Sequence, residues 1–154
     1  VHAIVTFDHL KLENHQKSAE FKMLLAEDLV LQQRLTEVRP LLLQALAIRK
    51  QAPNSQNPEV IRKLVKAYLK LGQFDRDQSN FTDSEQELKA ALDLTESKLA
   101  QDNELLSEAL NSYGDLLRQK GDTAGAKTYL DKAEDVGKSL MRHAKELNKD
   151  QVKD

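Results

Sequence analysis

The chain has 154 residues, enough to bury a core without disulfide or metal staples, so one cooperative domain is expected across 1–154. Its 23 basic and 25 acidic residues nearly cancel, which excludes the broad field that gathers nucleic acid or an anionic membrane; no nucleic-acid partner is expected. Five Gly, three Pro, no Trp and 31% charged residues are far from the make-up of sheets, so an all-α protein is expected, and the lack of Cys excludes a disulfide framework or thiolate chemistry and is compatible with cytoplasm or export.

The N-terminal VHAIVTF has no initiating Met and no basic segment ahead of its apolar residues, so a processed or truncated end is expected rather than an intact signal peptide. Residues 1–17 are read as a lead-in, either the end of an earlier helix or a loose segment. Next, EVRPLLLQALAIRK carries Pro40 inside a helical pattern, where a proline costs about 3 kcal/mol in a helix interior. The chain is therefore expected to turn near Gln33–Leu35 and to start a new helix at Thr36 or Glu37, with Pro40 in its first turn and a hairpin over 18–51.

Asn57 and Pro58 mark a third start, as cap and first helical residue. Ile61, Leu64, Val65, Tyr68 and Leu69 follow at helical spacing, and Gly72 supplies a stop near Leu71–Gln73. In TDSEQELKAALDLTESKL, Thr82 with Glu85 or Ser84 with Glu87 can form a capping box. The hairpin is read as 57–101, with FDRDQSNF as an inserted loop. Asp102 or Asn103 caps a helix that carries Leu105, Ala109, Tyr113 and Leu117 and ends at Gly121. Thr123 opens its partner, giving a hairpin over 103–136. Residues 138–150 are read as a separate capping helix, with Val136, Leu140, Ala144 and Leu147 on one face and Lys138, Arg142, Lys145 and Lys149 on a solvated face. Apolar stretches stop well short of 18 residues, so no membrane insertion is expected.

The hairpins repeat. From Gly121, Gly114 lies seven residues back, and Ala126, Leu130 and Ala133 lie five, nine and twelve ahead. Ser84, Leu88 and Ala91 repeat the second set, displaced by seven when Gly72 is the origin, and Gln33 takes the glycine's place in a weaker first copy with Val38, Leu42 and Ala45. Ala45, Ala91 and Ala133 are 46 and 42 residues apart, a helical-repeat period. On these residues, with ALNSYGDLLRQKGDTAGAKTYLDKAED as the clearest copy, residues 19 to 136 resemble the tetratricopeptide repeat. EVRPLLLQALAIRK followed by NPEV resembles its kinesin-light-chain-like subgroup, which has a longer repeat and a Pro early in the second helix. Gln33 for Gly, the displaced middle repeat and Thr123 at a usually aromatic position depart from the pattern. The resemblance implies a right-handed α-α superhelix of about three hairpins plus the capping helix.

Chemistry has no visible carrier. There is no phosphate loop, GxSxG or HExxH. His9 and His15 are six apart, which does not put two ligands on one helical face, and Glu134 and Asp135 point apart as neighbours on a helix. A non-enzymatic chain without metal or cofactor is expected. Asn80–Thr82 matches a glycosylation sequon, a cheap three-residue pattern. The resemblance also implies that the first helices line a concave face. Counted from Gly72 and Gly121, that face takes Glu59, Arg62, Lys66, Leu69 and Lys70, then Glu108, Asn111, Asp115, Arg118 and Gln119. Arg62, Lys66 and Lys70 form a basic stripe, and Asn111 can bond both donor and acceptor of a ligand backbone. With Asp115 and Arg118 these are the candidate peptide-binding residues, for a protein or peptide partner of acidic character. The plainer alternative is a set of solvated charges. A second functional reading is a structural, self-associating scaffold segment of a larger protein, a homo-oligomer through its solenoid ends.

Overall fold

A computed structural model describes the backbone of residues 2–52 and 56–151, and the side chains of 15–52, 56–142, 144 and 145. The side chains of His2, His9, His143, Leu147 and Lys149 lie outside this set. The described chain is all-α, with no strand among the described residues. Six helices follow one another: α1 (His2–Leu31), α2 (Leu35–Lys50), α3 (Pro58–Asp77), α4 (Phe81–Lys98), α5 (Asn103–Gln119) and α6 (Thr123–Gln151). They pack as three hairpins, α1 with α2, α3 with α4 and α5 with α6, joined where α2 meets α3 and α4 meets α5.

Local chemistry sets most of the boundaries. The Asn57 side chain accepts from the Glu59 N–H at 2.9 Å with Pro58 in the first turn, and Asp102 accepts from the Leu105 N–H at 3.2 Å. Asp122 accepts from the Gly125 N–H at 2.9 Å and so opens α6. Neither capping box in TDSEQELK forms, because α4 starts at Phe81 and takes both pairs into its body. Ser84 instead donates to the Gly72 carbonyl at 2.7 Å, inside the seam.

All three hairpins turn by the same device. Gln33, Ser79 and Gly121 have φ of 60°, 63° and 87°. In each case the next N–H reaches back five residues and the turn residue's own N–H reaches back three: Arg34 to Leu29 and Gln33 to Val30, Asn80 to Asp75 and Ser79 to Arg76, Asp122 to Leu117 and Gly121 to Arg118. A side chain in the left-handed region is strained by roughly 1–2 kcal/mol. Exposed Ser79 should therefore tolerate glycine with a gain: Ser79→Gly is expected to raise stability by about 1 kcal/mol in a urea titration, the glycine's greater unfolded-state entropy taking back part of the relief.

These turns correct the register of the middle hairpin. The expected stop at Gly72 and the inserted loop in FDRDQSNF are absent: α3 runs on to Asp77, and FDRDQSNF is its last turn, the turn itself and the start of α4. From Ser79 the offsets become regular, with Gly72 seven back and Ser84, Leu88 and Ala91 five, nine and twelve ahead, as around Gly121. Gly72 is thus the counterpart of Gly114 and Ala26. A Cβ on Gly72 would sit 2.6 Å from Leu88 Cγ, and one on Gly114 2.8 Å from Leu130 Cγ, so each glycine makes room for a leucine of the facing helix. A slip of seven residues turns a helix face by only about 20°, which is why the apolar stripe alone concealed it.

Two further expectations change. α2 begins at Leu35, one residue before the expected start, so Pro40 is its sixth residue and lies in the second turn. The N–H it lacks would have bonded the Thr36 carbonyl; Thr36 and Pro40 are both exposed, so the lost bond lies on the solvent side of α2. Residues 138–150 form no separate capping helix either, since α6 continues unbroken through Gly137 to Gln151. Beyond half-buried Val136 its apolar stripe leaves the core, with Met141 and Ala144 exposed.

The core has two parts. Ala26, Val38, Leu42, Leu46, Ala67 and Leu71 fill the joint between the first two hairpins. Val65, Leu69, Leu88, Leu92, Leu105 and Leu116 belong to the larger cluster of the second and third. Tyr113 and Tyr129 meet edge to face at 4.8 Å within it.

Buried charge interrupts the first joint. Asp75 is fully buried in α3, at the position held by Leu29 in the first hairpin and Leu117 in the third. Arg39 Nε, from α2, donates to Asp75 Oδ1 at 2.7 Å, and its Nη2 reaches Asp83 at 2.7 Å. The Asn80 side-chain amide also donates to Asp75, at 3.2 Å, so the sequon asparagine serves the turn. Glu87, on α4 where the other hairpins have Leu41 and Tyr129, faces Asp75, and a proton on Glu87 lets the two carboxyl groups hydrogen-bond. Burial, then the Asp75 charge and that hydrogen bond, push the Glu87 pKa up to about 8, against the pull of Arg39. Asp75 Oδ2 and Glu87 Oε2 are otherwise buried without a partner, and one proton held by Glu87 accounts for the pair.

Candidate functional site

The first helices α1, α3 and α5 line the face that carries the predicted stripe. Between α1 and α3 lies a cleft of about 480 Å³ that includes Arg62, Lys66 and Lys70, so these three do share one site. Acidic groups from α3 itself and from the neighbouring helices interleave with them. Arg62 donates to Asp102 at 2.7 Å and to Glu59 at 2.8 Å, and Lys70 pairs with Glu27 across the cleft at 2.8 Å. Glu20 and Glu108 also line it. Lys66 is exposed and, among the described residues, makes no ion pair.

The hydrogen bonds to Asp102 and Glu59 hold the Arg62 pKa above its ordinary value. At Asp102, burial works against the charge, but Arg62 and the Leu105 N–H outweigh it and hold the carboxyl below its usual range. Arg62 thus ties α3 to the start of α5. The stripe is a set of bridged charges with one open cation, not a bare basic surface.

The other three predicted residues do not line this cleft. Asn111 is exposed on α5, Asp115 pairs with Arg118 at 2.8 Å, and Arg76 of α3 approaches Asp115 at 3.8 Å. Leu69, expected on the concave face, is buried in the core. The corrected register changes the rest of the set: counted from Ser79, the middle hairpin presents Lys66, Leu69, Gln73, Arg76 and Asp77 at the positions of Glu108, Asn111, Asp115, Arg118 and Gln119, with Leu69 buried where Asn111 is exposed. Gln73 accordingly bridges to α5, donating to Ser112 at 2.8 Å.

A second cleft, also of about 480 Å³, adjoins the first at the turn end. Glu27 and Lys70 line both, so their ion pair divides the channel. The second half is mostly apolar, with Val30, Leu31, Leu35 and Phe74 among its walls and Asp77 at its edge. Sequence reasoning missed it. Counting the first hairpin's concave positions from Gln33 yields Glu20, Met23, Glu27, Val30 and Leu31, which would have shown it.

No helix among the described residues is long and apolar enough to cross a membrane. None of the curated proteins compared with the chain matches it. A family model for the tetratricopeptide repeat matches residues 63–139, from α3 into α6. That match covers half the chain, and the three hairpins with their common turn and small-residue seam repeat the same unit. The chain therefore belongs to the tetratricopeptide repeat family, a family of protein-interaction modules.

Proposed function

We propose that this chain is a non-catalytic interaction module that takes a peptide or an extended segment of a partner protein along its concave face, between α1 and α3. The observation that carries the reading is Lys66, an exposed cation in a cleft where Arg62, Lys63 and Lys70 are already bridged to acids, next to an apolar cleft that can seat a bulky side chain. A ligand carboxylate would pair with Lys66 without breaking an internal bridge. Asn111 would contact a ligand that extends along α5. The longer repeat period and the Pro40 segment followed by NPEV support the kinesin-light-chain-like reading within the family.

The test is selection of a random peptide library on the chain, with Lys66→Glu for comparison. Acidic peptides with an apolar residue should be enriched, and Lys66→Glu should weaken them by roughly tenfold, with the wild-type affinity falling as salt rises. Reversal at Arg62 is a poorer probe, because it also removes the partner of the helix-capping Asp102. Enriched peptides that bind Lys66→Glu as tightly as the wild type would overturn the assignment.

A further inference from the structure

The two ends of the helix stack are unlike. At the internal joints, first helices meet the preceding hairpin with small or apolar residues that are all buried: Ala67 and Leu71 in α3, Ala109 and Tyr113 in α5. The same positions in α1, counted from the turn, are Phe21 and Leu25. Phe21 is 66% exposed, and Leu24 and Leu31 beside it are 60% and 81% exposed. At the other end, the position of buried Leu46 in α2 and Leu92 in α4 falls on Glu134 in α6, which is exposed and paired with Lys138 at 2.7 Å. The α6 end therefore presents a salt-bridged acid at the position where the internal joints bury leucine, while the α1 end is apolar and open at its stacking positions.

Three features say what covers α1. Another hairpin cannot stack there in the geometry of the internal joints, because the stacking position is Ala at both, with at most 1% exposure, and Phe21 would put a ring in that space. Head-to-tail growth is disfavoured because Glu134 and Lys138 would lose water against the apolar stripe. The stripe is also complementary to itself. Lys17, Phe21, Leu24, Asp28 and Leu31 are exposed at alternating spacings of four and three, opposite the buried face of Ala19, Ala26 and Leu29. In an antiparallel pair of such helices about a twofold axis, the register that seats Phe21 against Leu24 of the second copy also sets Lys17 opposite Asp28, twice.

We propose that this chain forms a twofold dimer through α1, with Phe21 and Leu24 at its centre and reciprocal Lys17–Asp28 pairs at its flanks. The interface is isologous and closes at two copies. Leu24 also lines the rim of the first cleft, so the dimer would set two concave grooves side by side.

Sedimentation equilibrium of the 154-residue chain over a concentration series tests it. A monomer–dimer equilibrium is expected, and Phe21→Glu should weaken it roughly tenfold or more without altering helicity, since the side chain is not part of the core. Lys17→Asp and Asp28→Lys should each weaken the dimer, and the two together should restore it. A strict monomer at every concentration would hand the stripe to a different protein and overturn the proposal. So would masses that grow beyond the dimer, or a double reversal that fails to rescue.

Discussion

Arg39→Met is expected to lose about 3 kcal/mol of stability, because it strips from a fully buried carboxyl group the one cation that pairs with it among the described residues. Asp75 would keep the Asn80 amide and the Glu87 proton, but no formal counter-charge. The informative companion is the double change Asp75→Leu with Glu87→Leu, which gives the middle hairpin the Leu29 and Leu41 pair of the first. With no carboxyl left to satisfy, the double variant should equal or exceed the wild type by about 1–2 kcal/mol, and adding Arg39→Met to it should cost little. Urea midpoints of the four proteins close the cycle. Equal losses from Arg39→Met in both backgrounds would show that the arginine acts by some other contact.

The second large effect is one of pH. Glu87 has a native pKa of about 8 against an ordinary 4.5, so between those values the folded chain holds a proton that the unfolded chain releases. Its contribution is complete below the ordinary value and is lost as pH rises through the native one. Stability should therefore fall by on the order of 2 kcal/mol from pH 5 to pH 9, less than the full shift implies because Glu87 is only partly buried. Glu87→Gln keeps a donor for Asp75 but has nothing to titrate. Its stability should be flatter over that range and should exceed the wild type at pH 9. Parallel pH profiles for the two proteins would refute a shared proton.

Both effects arise at the joint between the first two hairpins, where Arg39 of α2 spans to α3 and α4. A solenoid has no long-range core to compensate for a weak joint, so losses there should loosen the first hairpin from the second. The concave clefts lie across the same pair of hairpins, and their shape depends on that joint staying closed.

Much of this architecture could be read before any coordinates. Asn57–Pro58 and Asp102 start helices because their caps act over two or three residues, and the seam of Ala26, Gly114, Leu88, Leu130, Ala91 and Ala133 is visible as a period because each hairpin solves the same packing problem with the same small and large residues. Pro40 does mark a nearby helix start, though it lies one turn deeper than its spacing predicts. What the chain could not disclose alone was register and pairing. Gly72 and Gly121 read alike as helix stops, and the true turn at Ser79 has an ordinary residue in a left-handed conformation that only the Schellman hydrogen bonds reveal. The basic stripe on α3 was legible as spacing, but the acids that bridge it, Glu27 and Asp102, stand 43 and 40 residues from Lys70 and Arg62. By sequence Asp75 falls in an inserted loop and Glu87 in a capping box, whereas packing puts them where leucines stand in the first hairpin. Local propensity is written in neighbours a few residues apart, whereas the protonation, pairing and exposure of a charge depend on helices brought together by the fold.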